Sequence, residues 1–313
     1  MPPALLYCAD PLDERRVDGH FAAEAREARA HGGTVARVDH DALLRGDAER
    51  AAARVPEGCG PCWYRGWMIP ADRYRDLARA LERRGASLLV TPEQYRTAHE
   101  LPGWYEEFAE LTPVSAWTEG AADAAALALR LPPGPGIVKD YVKSRKHEWD
   151  EACYVPDLRD PAGLGRVVGR FAELQGEWLA GGIVLRAFEP YEKPASAATE
   201  LRVWWLDGAP RLITPHPDGP AAHDPDPVPG PELARIAAAV ARLGCRFVTT
   251  DLARRTDGVW RVVEVGDGQV SDAHPTTAPG LLPRLLLDGQ GPSGGSRPGP
   301  RRDVSNPDPP DRL

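Results

Sequence analysis

Two acidic residues, Asp251 and Glu264, fall on predicted strands that flank Asp257-Gly258. Asp-Gly is a preferred pair for a two-residue hairpin turn, and that turn places Asp251 directly opposite Glu264. Carboxylates on directly paired residues repel each other, so this pair needs a cation between them. Asp267 follows shortly after Glu264, and Gln269 adds an amide oxygen. Such an oxygen-rich set suits a hard cation, and we predict a magnesium site formed by Asp251, Glu264 and Asp267.

The alternative for this hairpin is a solvent-exposed sheet face on which both acids point outward. We disfavour it because simple alternation along the strands places Phe247 and Trp260 on the face that carries the two acids. The prediction depends on strand register, since a slip of one residue would send the acids to opposite faces.

Lysine is concentrated in one segment of the chain. Lysine and arginine number 38 together, but only four are lysine, and three of these are Lys139, Lys143 and Lys146. A predicted strand over residues 136–143 puts Lys139 and Lys143 on one face, and a loop at 144–147 adds further hydrogen-bond donors. Cations held this close suit a polyanion such as a phosphate chain. The alternative is pairing with the acidic residues at 148, 150 and 151.

A third segment, residues 200–208, contains Arg202 and ends in a second Asp-Gly hairpin signal. A fixed cation beside an anion site would stabilise phosphoryl transfer, which makes Arg202 a catalytic candidate. The alternative is that Arg202 is an ordinary surface residue of a strand.

Cys59-Gly-Pro-Cys62 has the spacing of a thioredoxin-like redox motif. That motif works when the first cysteine begins a helix, because the helix lowers the pKa of the thiol. The residues after Cys62 are instead typical of a strand or loop, so thiol oxidoreduction is a minor alternative for this chain.

Composition excludes several classes of protein. The chain has 313 residues, a formal charge of −8 and 42% hydrophobic residues, which is typical of a soluble globular protein. A general nucleic-acid binder would show a basic balance, so no nucleic-acid partner is expected. No apolar run reaches the ~20 residues of a membrane span, and no signal peptide is recognisable. The five cysteines are therefore expected as reduced thiols in a cytoplasmic protein.

The pattern of predicted elements changes along the chain. Residues 1–92 alternate between strands and helices, which is typical of a small parallel α/β unit. Over residues 93–288 the pattern is α+β, with strands expected at 136–143, 183–188, 200–206, 210–214, 246–253 and 259–265. Residues 289–313 consist mostly of Pro, Gly, Ser, Asp and Arg, and we predict a disordered tail there.

Taken in this order, the lysine segment, Arg202 and the acidic hairpin resemble the ATP-grasp superfamily. They look most like a small amidoligase-like clade of bacterial and phage proteins, long described as a domain of unknown function. The resemblance covers roughly residues 60–275 and is carried by the stretches at 136–156, 181–189, 200–208 and 247–271. It implies an α+β ATP-grasp fold in which two subdomains clamp ATP, preceded by a small α/β domain.

The resemblance also implies roles for individual residues. Arg202 and Lys143 would be catalytic, and Asp251 and Glu264 would hold Mg²⁺, with the third ligand open between Asp267 and Gln269. The superfamily usually has Asn as that third ligand. The residues implied to bind ATP are Lys139, Lys143, Lys146, Arg186, Ala187, Phe188, Glu189 and Arg202.

The activity implied by the resemblance is an ATP- and Mg²⁺-dependent carboxylate–amine ligase that acts through an acyl phosphate. Its partners would be a small-molecule or peptide carboxylate and an amine. One alternative is a nucleotide-binding protein that keeps the fold but has lost turnover. The thiol chemistry of Cys59 and Cys62 remains a second, weaker alternative.

Overall fold

The computed structural model describes residues 2–119, 123–192, 200–219 and 228–289. Apart from Gly289, the predicted disordered tail lies outside these residues. Among the described residues, no helix is long and apolar enough to cross a membrane.

The N-terminal unit is a parallel sheet with helices. Its strands are β1 (Ala4–Cys8), β2 (Val35–Val38), β3 (Gly60–Arg65) and β4 (Ala86–Leu88), in the order β2-β1-β3-β4. Its helices are α1 (Ala22–Ala30), α2 (His40–Leu44), α3 (Ala48–Ala52) and α4 (Ala71–Arg83). The predicted parallel α/β unit is confirmed, but the sequence patterns missed β3 as a strand.

Two further sheets, both antiparallel, follow the connecting helices α5 (Pro92–His99) and α6 (Leu101–Phe108). The small sheet has the order β5-β8-β6-β7, where β5 is Ser115–Trp117, β6 Gly136–Lys139, β7 Tyr154–Val155 and β8 Val184–Ala187. Its helices are α7 (Ala124–Ala128) and α8 (Pro161–Gln175), with short 3₁₀ turns at Lys146–Glu148 and Gly176–Trp178 and a π-helical turn at Trp149–Cys153.

The large sheet has the order β10-β9-β11-β12. Its strands are β9 (Glu200–Leu206), β10 (Ala209–Pro215), β11 (Phe247–Arg254) and β12 (Trp260–Asp267). Helix α9 (Gly230–Leu243) precedes β11, while a 3₁₀ turn at Gly268–Val270 and helix α10 (Leu281–Asp288) follow β12. Together the elements give the predicted α+β architecture.

The hydrophobic cores do not follow the predicted domain boundary at residues 92 and 93. The N-terminal sheet shares one core with a face of the large sheet, through Trp204 and Phe247, and with α10, through Leu286. The opposite face of the large sheet packs on α6 and α9. The small sheet forms its own core with α7 and α8. The predicted domain limits therefore stay a prediction.

The acidic hairpin reaches the predicted register by a different route. Its turn holds three residues, because the amide of Arg255 donates to the carbonyl of Val259 at 2.8 Å. A β-bulge then inserts Val263, so that Leu252 pairs with Val262 while Asp251 pairs with Glu264. The longer turn and the bulge cancel. Trp260 moves to the other face and packs with α6 and α9, so its expected place beside the acids is wrong.

Candidate active site

Asp251 lies in the middle of the large sheet and is almost completely buried. Its neighbour across β9 is Arg202, which donates from Nε to Oδ1 at 2.7 Å and from Nη2 to Oδ2 at 2.8 Å. The imidazole of His216 lies 3.5 Å from Oδ2. Burial alone would raise the pKa of Asp251, but Arg202 and His216 hold it at about 2. Asp251 is therefore an ionised carboxylate in a pocket of positive charge.

Glu264 faces a second buried cation. The Nζ atom of Lys139, at the end of β6, donates to Oε1 of Glu264 at 2.7 Å. Only 3% of the Lys139 side chain is exposed, against 37% for Glu264. This ion pair joins the small sheet to the large sheet and brings Lys139 to the acidic hairpin, as the sequence predicted.

In both ion pairs a predicted phosphate-binding cation neutralises a predicted magnesium ligand. Asp251 and Glu264 lie directly opposite each other, and both are hard oxygen donors. Mg²⁺ in nucleotide sites is usually held by one or two carboxylates together with substrate phosphates. The two carboxylates thus fit Mg²⁺ once phosphates take over Arg202 and Lys139 as partners.

Sequence reasoning missed His216, which it treated as a solvated loop residue. The backbone amide of His216 donates to the carbonyl of Glu200 at 2.9 Å, and a ligand atom from each of Glu200, His216 and Asp251 lies within 4.8 Å of the others. Burial would lower the pKa of His216, but Asp251 and Glu200 raise it overall. Continuing the β9–β10 hairpin register beyond Pro215 would have placed His216 opposite Glu200.

The predicted strand over residues 136–143 is wrong beyond Lys139. The Asp140 side chain accepts from the amides of Val142, at 2.7 Å, and Lys143, at 2.6 Å, and these bonds turn the chain away from the sheet. Lys143 is therefore exposed and does not share a strand face with Lys139. Lys146 is half-exposed and pairs with Asp218.

Arg186 on β8 is committed to the protein itself. Its guanidinium donates to Ser115 Oγ at 3.1 Å, to Thr112 Oγ1 at 3.2 Å and to the carbonyl of the bulge residue Val263 at 2.5 Å. It also lies 5.7 Å from the ring centroid of Trp104. Arg186 thus braces the bulge that sets the register of Glu264, and the geometry gives no support for its predicted contact with ATP.

The other predicted hinge residues follow at the end of β8. Ala187 is partly exposed, and the Phe188 ring packs edge-on against Tyr154, with centroids 5.4 Å apart. Glu189 forms a two-bond ion pair with Arg261, at 2.9 and 3.0 Å. For Ala187, Phe188 and Glu189, contact with ATP stays a prediction.

Asp267 lies on the opposite face of β12 from Glu264. It pairs with Val248, is completely buried, and accepts from the amide of Gln269 at 2.9 Å, while its Oδ2 has no partner among the described residues. Its assignment as a magnesium ligand with Asp251 and Glu264 is therefore wrong. Gln269 also turns away, since its Oε1 accepts from the amide of Tyr64 at 3.0 Å.

Residues 127–282 match a family model described as an ATP-grasp domain, the third family of its clade. The chain belongs to the ATP-grasp superfamily. No curated protein matches the sequence.

Solved structures show the same ATP-grasp fold. D-cycloserine synthetase DcsG is 18% identical, with a TM-score of 0.56, and the match covers 90% of this chain and 99% of that chain. A RimK domain ATP-grasp protein from Sphaerobacter thermophilus DSM 20745 is 12% identical, with a TM-score of 0.57 and coverage of 91% and 100%. The ATP-grasp ligase PsnB, solved with precursor peptide PsnA2 and AMPPNP, is 12% identical, with a TM-score of 0.55 and coverage of 92% and 97%.

The cysteine motif lies apart from the ATP-grasp site. Cys59 precedes a strand rather than a helix, and burial raises its pKa. Burial raises the pKa of Cys62 to about 12, and its thiol donates to the carbonyl of Ser87. Neither sulfur is activated as a thiolate, so nothing in this geometry favours thiol oxidoreduction.

Substituting Asp267→Asn separates structural from metal-binding carboxylates in this ATP-grasp protein. Burial raises the pKa of Asp267 from 3.8 to about 7. The folded-state pKa exceeds the unfolded one, so stability falls as pH rises from about 4 to 7, by about 4 kcal/mol in all. We expect D267N to lose most of this pH dependence in urea unfolding at pH 5 and pH 8.

The same D267N variant should keep a magnesium-dependent thermal shift with ATP. Loss of that shift in a folded D267N protein would contradict the placement of Asp267 outside the metal site.

Proposed function

We propose that this protein is an ATP- and Mg²⁺-dependent ligase that joins a carboxylate to an amine through an acyl phosphate. The observation that carries the proposal is the pairing of Asp251 with Arg202 and of Glu264 with Lys139 on directly opposed residues. Two carboxylates and two cations at one point suit a metal–triphosphate complex better than they suit a purely structural role.

The chemistry requires charge neutralisation and positioning rather than a protein nucleophile. A carboxylate oxygen attacks the γ-phosphorus of ATP, the bond to the bridging oxygen breaks, and ADP leaves with the electron pair. The amine nitrogen then bonds to the acyl carbon, phosphate leaves, and the nitrogen loses a proton. Lys139 and Arg202 would balance charge on the phosphates, with Lys143 and Lys146 as further cations at the loop.

Asp251 and Glu264 would hold Mg²⁺, which supplies Lewis-acid polarisation of phosphoryl oxygens. In the free protein Arg202 and Lys139 keep these carboxylates ionised and in place.

The substrates are proposed as a small-molecule or peptide carboxylate and an amine. The titles of two related structures support the peptide option, since PsnB and the macrocyclase MdnC from Microcystis aeruginosa MRC were solved with precursor peptides. We infer a cytoplasmic location, where ATP and Mg²⁺ are available and where the five free cysteines would stay reduced.

Hydroxylamine trapping tests the proposal, because hydroxylamine converts an acyl phosphate into a stable hydroxamate. The protein is incubated with MgATP, hydroxylamine and a panel of amino acids, dicarboxylates and short peptides. We expect one class of acid to give ADP and hydroxamate in equal amounts, with none formed in EDTA. Magnesium-dependent ATP binding without ADP formation for any acid would instead favour the nucleotide-binding alternative.

A further inference from the structure

A large cavity lies beside the proposed phosphate site. Its volume is about 980 Å³, and it opens between the N-terminal unit at residues 68–72, the end of α5, the loop at 140–148 and the segment at 175–181. Clefts of this size between structural units are where small substrates usually bind. Asp251, Glu264, Arg202 and Lys139 do not line it, so it is separate from the proposed metal and phosphate groups.

His99 lines this cavity and is the last residue of α5. The helix is fixed at its start by a capping box between Thr91 and Gln94, and the His99 ring stacks on Tyr95 with centroids 5.0 Å apart. His99 is only 8% exposed, yet no described residue hydrogen-bonds to its ring. A buried polar group without a protein partner needs another explanation, and a ligand in the cavity supplies one.

The cavity adjoins the phosphate site through the surroundings of His99. Burial, followed by the positive charges of Lys143 and Lys139, lowers the pKa of His99 to about 4. The imidazole is therefore neutral at physiological pH and has one nitrogen that accepts a hydrogen bond. Lys139 is the cation that binds Glu264, so a group bonded to His99 would lie near the reacting phosphate.

The charges on the cavity wall indicate which substrate it takes. Asp72, Glu100 and Glu119 line it together, and burial raises the pKa of Glu100 even though Arg96 lies 3.4 Å away. Three carboxylates attract an ammonium group and repel a second carboxylate. Trp178, 65% exposed, also lines the cavity and offers apolar surface to the rest of the substrate.

We propose that this cavity binds the amine substrate and that His99 accepts a hydrogen bond from its nitrogen. The proposal rests on the ligase function proposed above and assigns its second substrate. The carboxylates would draw in the charged amine, and the bond to His99 would orient the neutral nitrogen toward the acyl phosphate.

Nuclear magnetic resonance of histidine Cε1–H groups tests this proposal without ATP. The probes are 2-phenylethylamine, 2-phenylethanol and 3-phenylpropionate, which share one ring and differ in charge. The His99 resonance is identified by its loss in H99Q, or in H99N if H99Q folds poorly. In the wild-type protein it is also recognised because it does not titrate between pH 5.5 and 8. His31, which pairs with Asp288 on the surface, is the internal control.

We expect the amine to shift the His99 resonance saturably at millimolar concentration, with His31 unchanged and the alcohol much weaker. An E100Q/E119Q double variant should bind the amine at least tenfold more weakly. An unshifted His99, or a larger shift with 3-phenylpropionate than with the amine, would overturn the proposal. Magnesium-dependent ATP binding is measured on the same samples by thermal shift, so failure of the amine site is distinguished from failure of the proposed function.

Discussion

Asp251→Asn should both weaken the fold and abolish the magnesium-dependent response to ATP. The substitution leaves the Arg202 guanidinium, whose side chain is 12% exposed, without its carboxylate partner. Breaking a buried ion pair from one side costs about 3–5 kcal/mol of unfolding free energy. In the wild-type protein, ATP with Mg²⁺ at 100 times its dissociation constant should add about 2.7 kcal/mol, and D251N should lose this gain.

Urea unfolding and thermal shift measure these two effects. The matched control is Asp288→Asn, which removes an exposed contact with His31 and should cost less than about 1 kcal/mol. A double R202M/D251N variant should regain most of the stability, because no buried charge is left unpaired, and should still fail to respond to MgATP. A D251N protein that keeps its full magnesium-dependent shift would contradict the metal assignment.

Lys139→Met should have the opposite balance, with little loss of stability and a large loss of function. Methionine fills the volume of the lysine stem, and Glu264 is exposed enough to be hydrated after its partner is removed. We expect the unfolding free energy to change by less than about 1.5 kcal/mol. Turnover in the hydroxamate assay should fall by about 10²–10³-fold, as for removal of a fixed charge that stabilises a transition state.

Lys146→Met provides the graded comparison for K139M. Lys146 is half-exposed and pairs with Asp218 at the surface, so its loss should reduce turnover far less. If K139M unfolded as readily as D251N, Lys139 would be a structural residue rather than a phosphate ligand.

The hairpins were predictable because Asp-Gly turns and alternating apolar residues specify them locally. The pairing of Asp251 with Glu264 came out correctly even though the turn and the bulge each differ from the simple pattern by one residue. The bulge itself was not predictable, since it depends on packing and on the Arg186 guanidinium that binds the carbonyl of Val263.

Other features of the site failed for identifiable reasons. Asp267 is separated from Glu264 by an odd number of positions, so strand alternation alone would have put it on the other face. The end of β6 was missed because the Asp140 side chain bonds two backbone amides and outweighs the strand preference of its neighbours. His99 gave no signal, because a histidine on a helix becomes informative only when its surroundings are known.

The core that the N-terminal sheet shares with the large sheet and α10 has a consequence for synthesis on the ribosome. Domains generally fold in order as the chain emerges, the N-terminal one first. Here the first sheet is completed by Trp204, Phe247 and Leu286, which are made long after its own strands. We therefore expect the beginning of the chain to be among the last parts to become stable, and the small sheet, with its own core, to fold earlier.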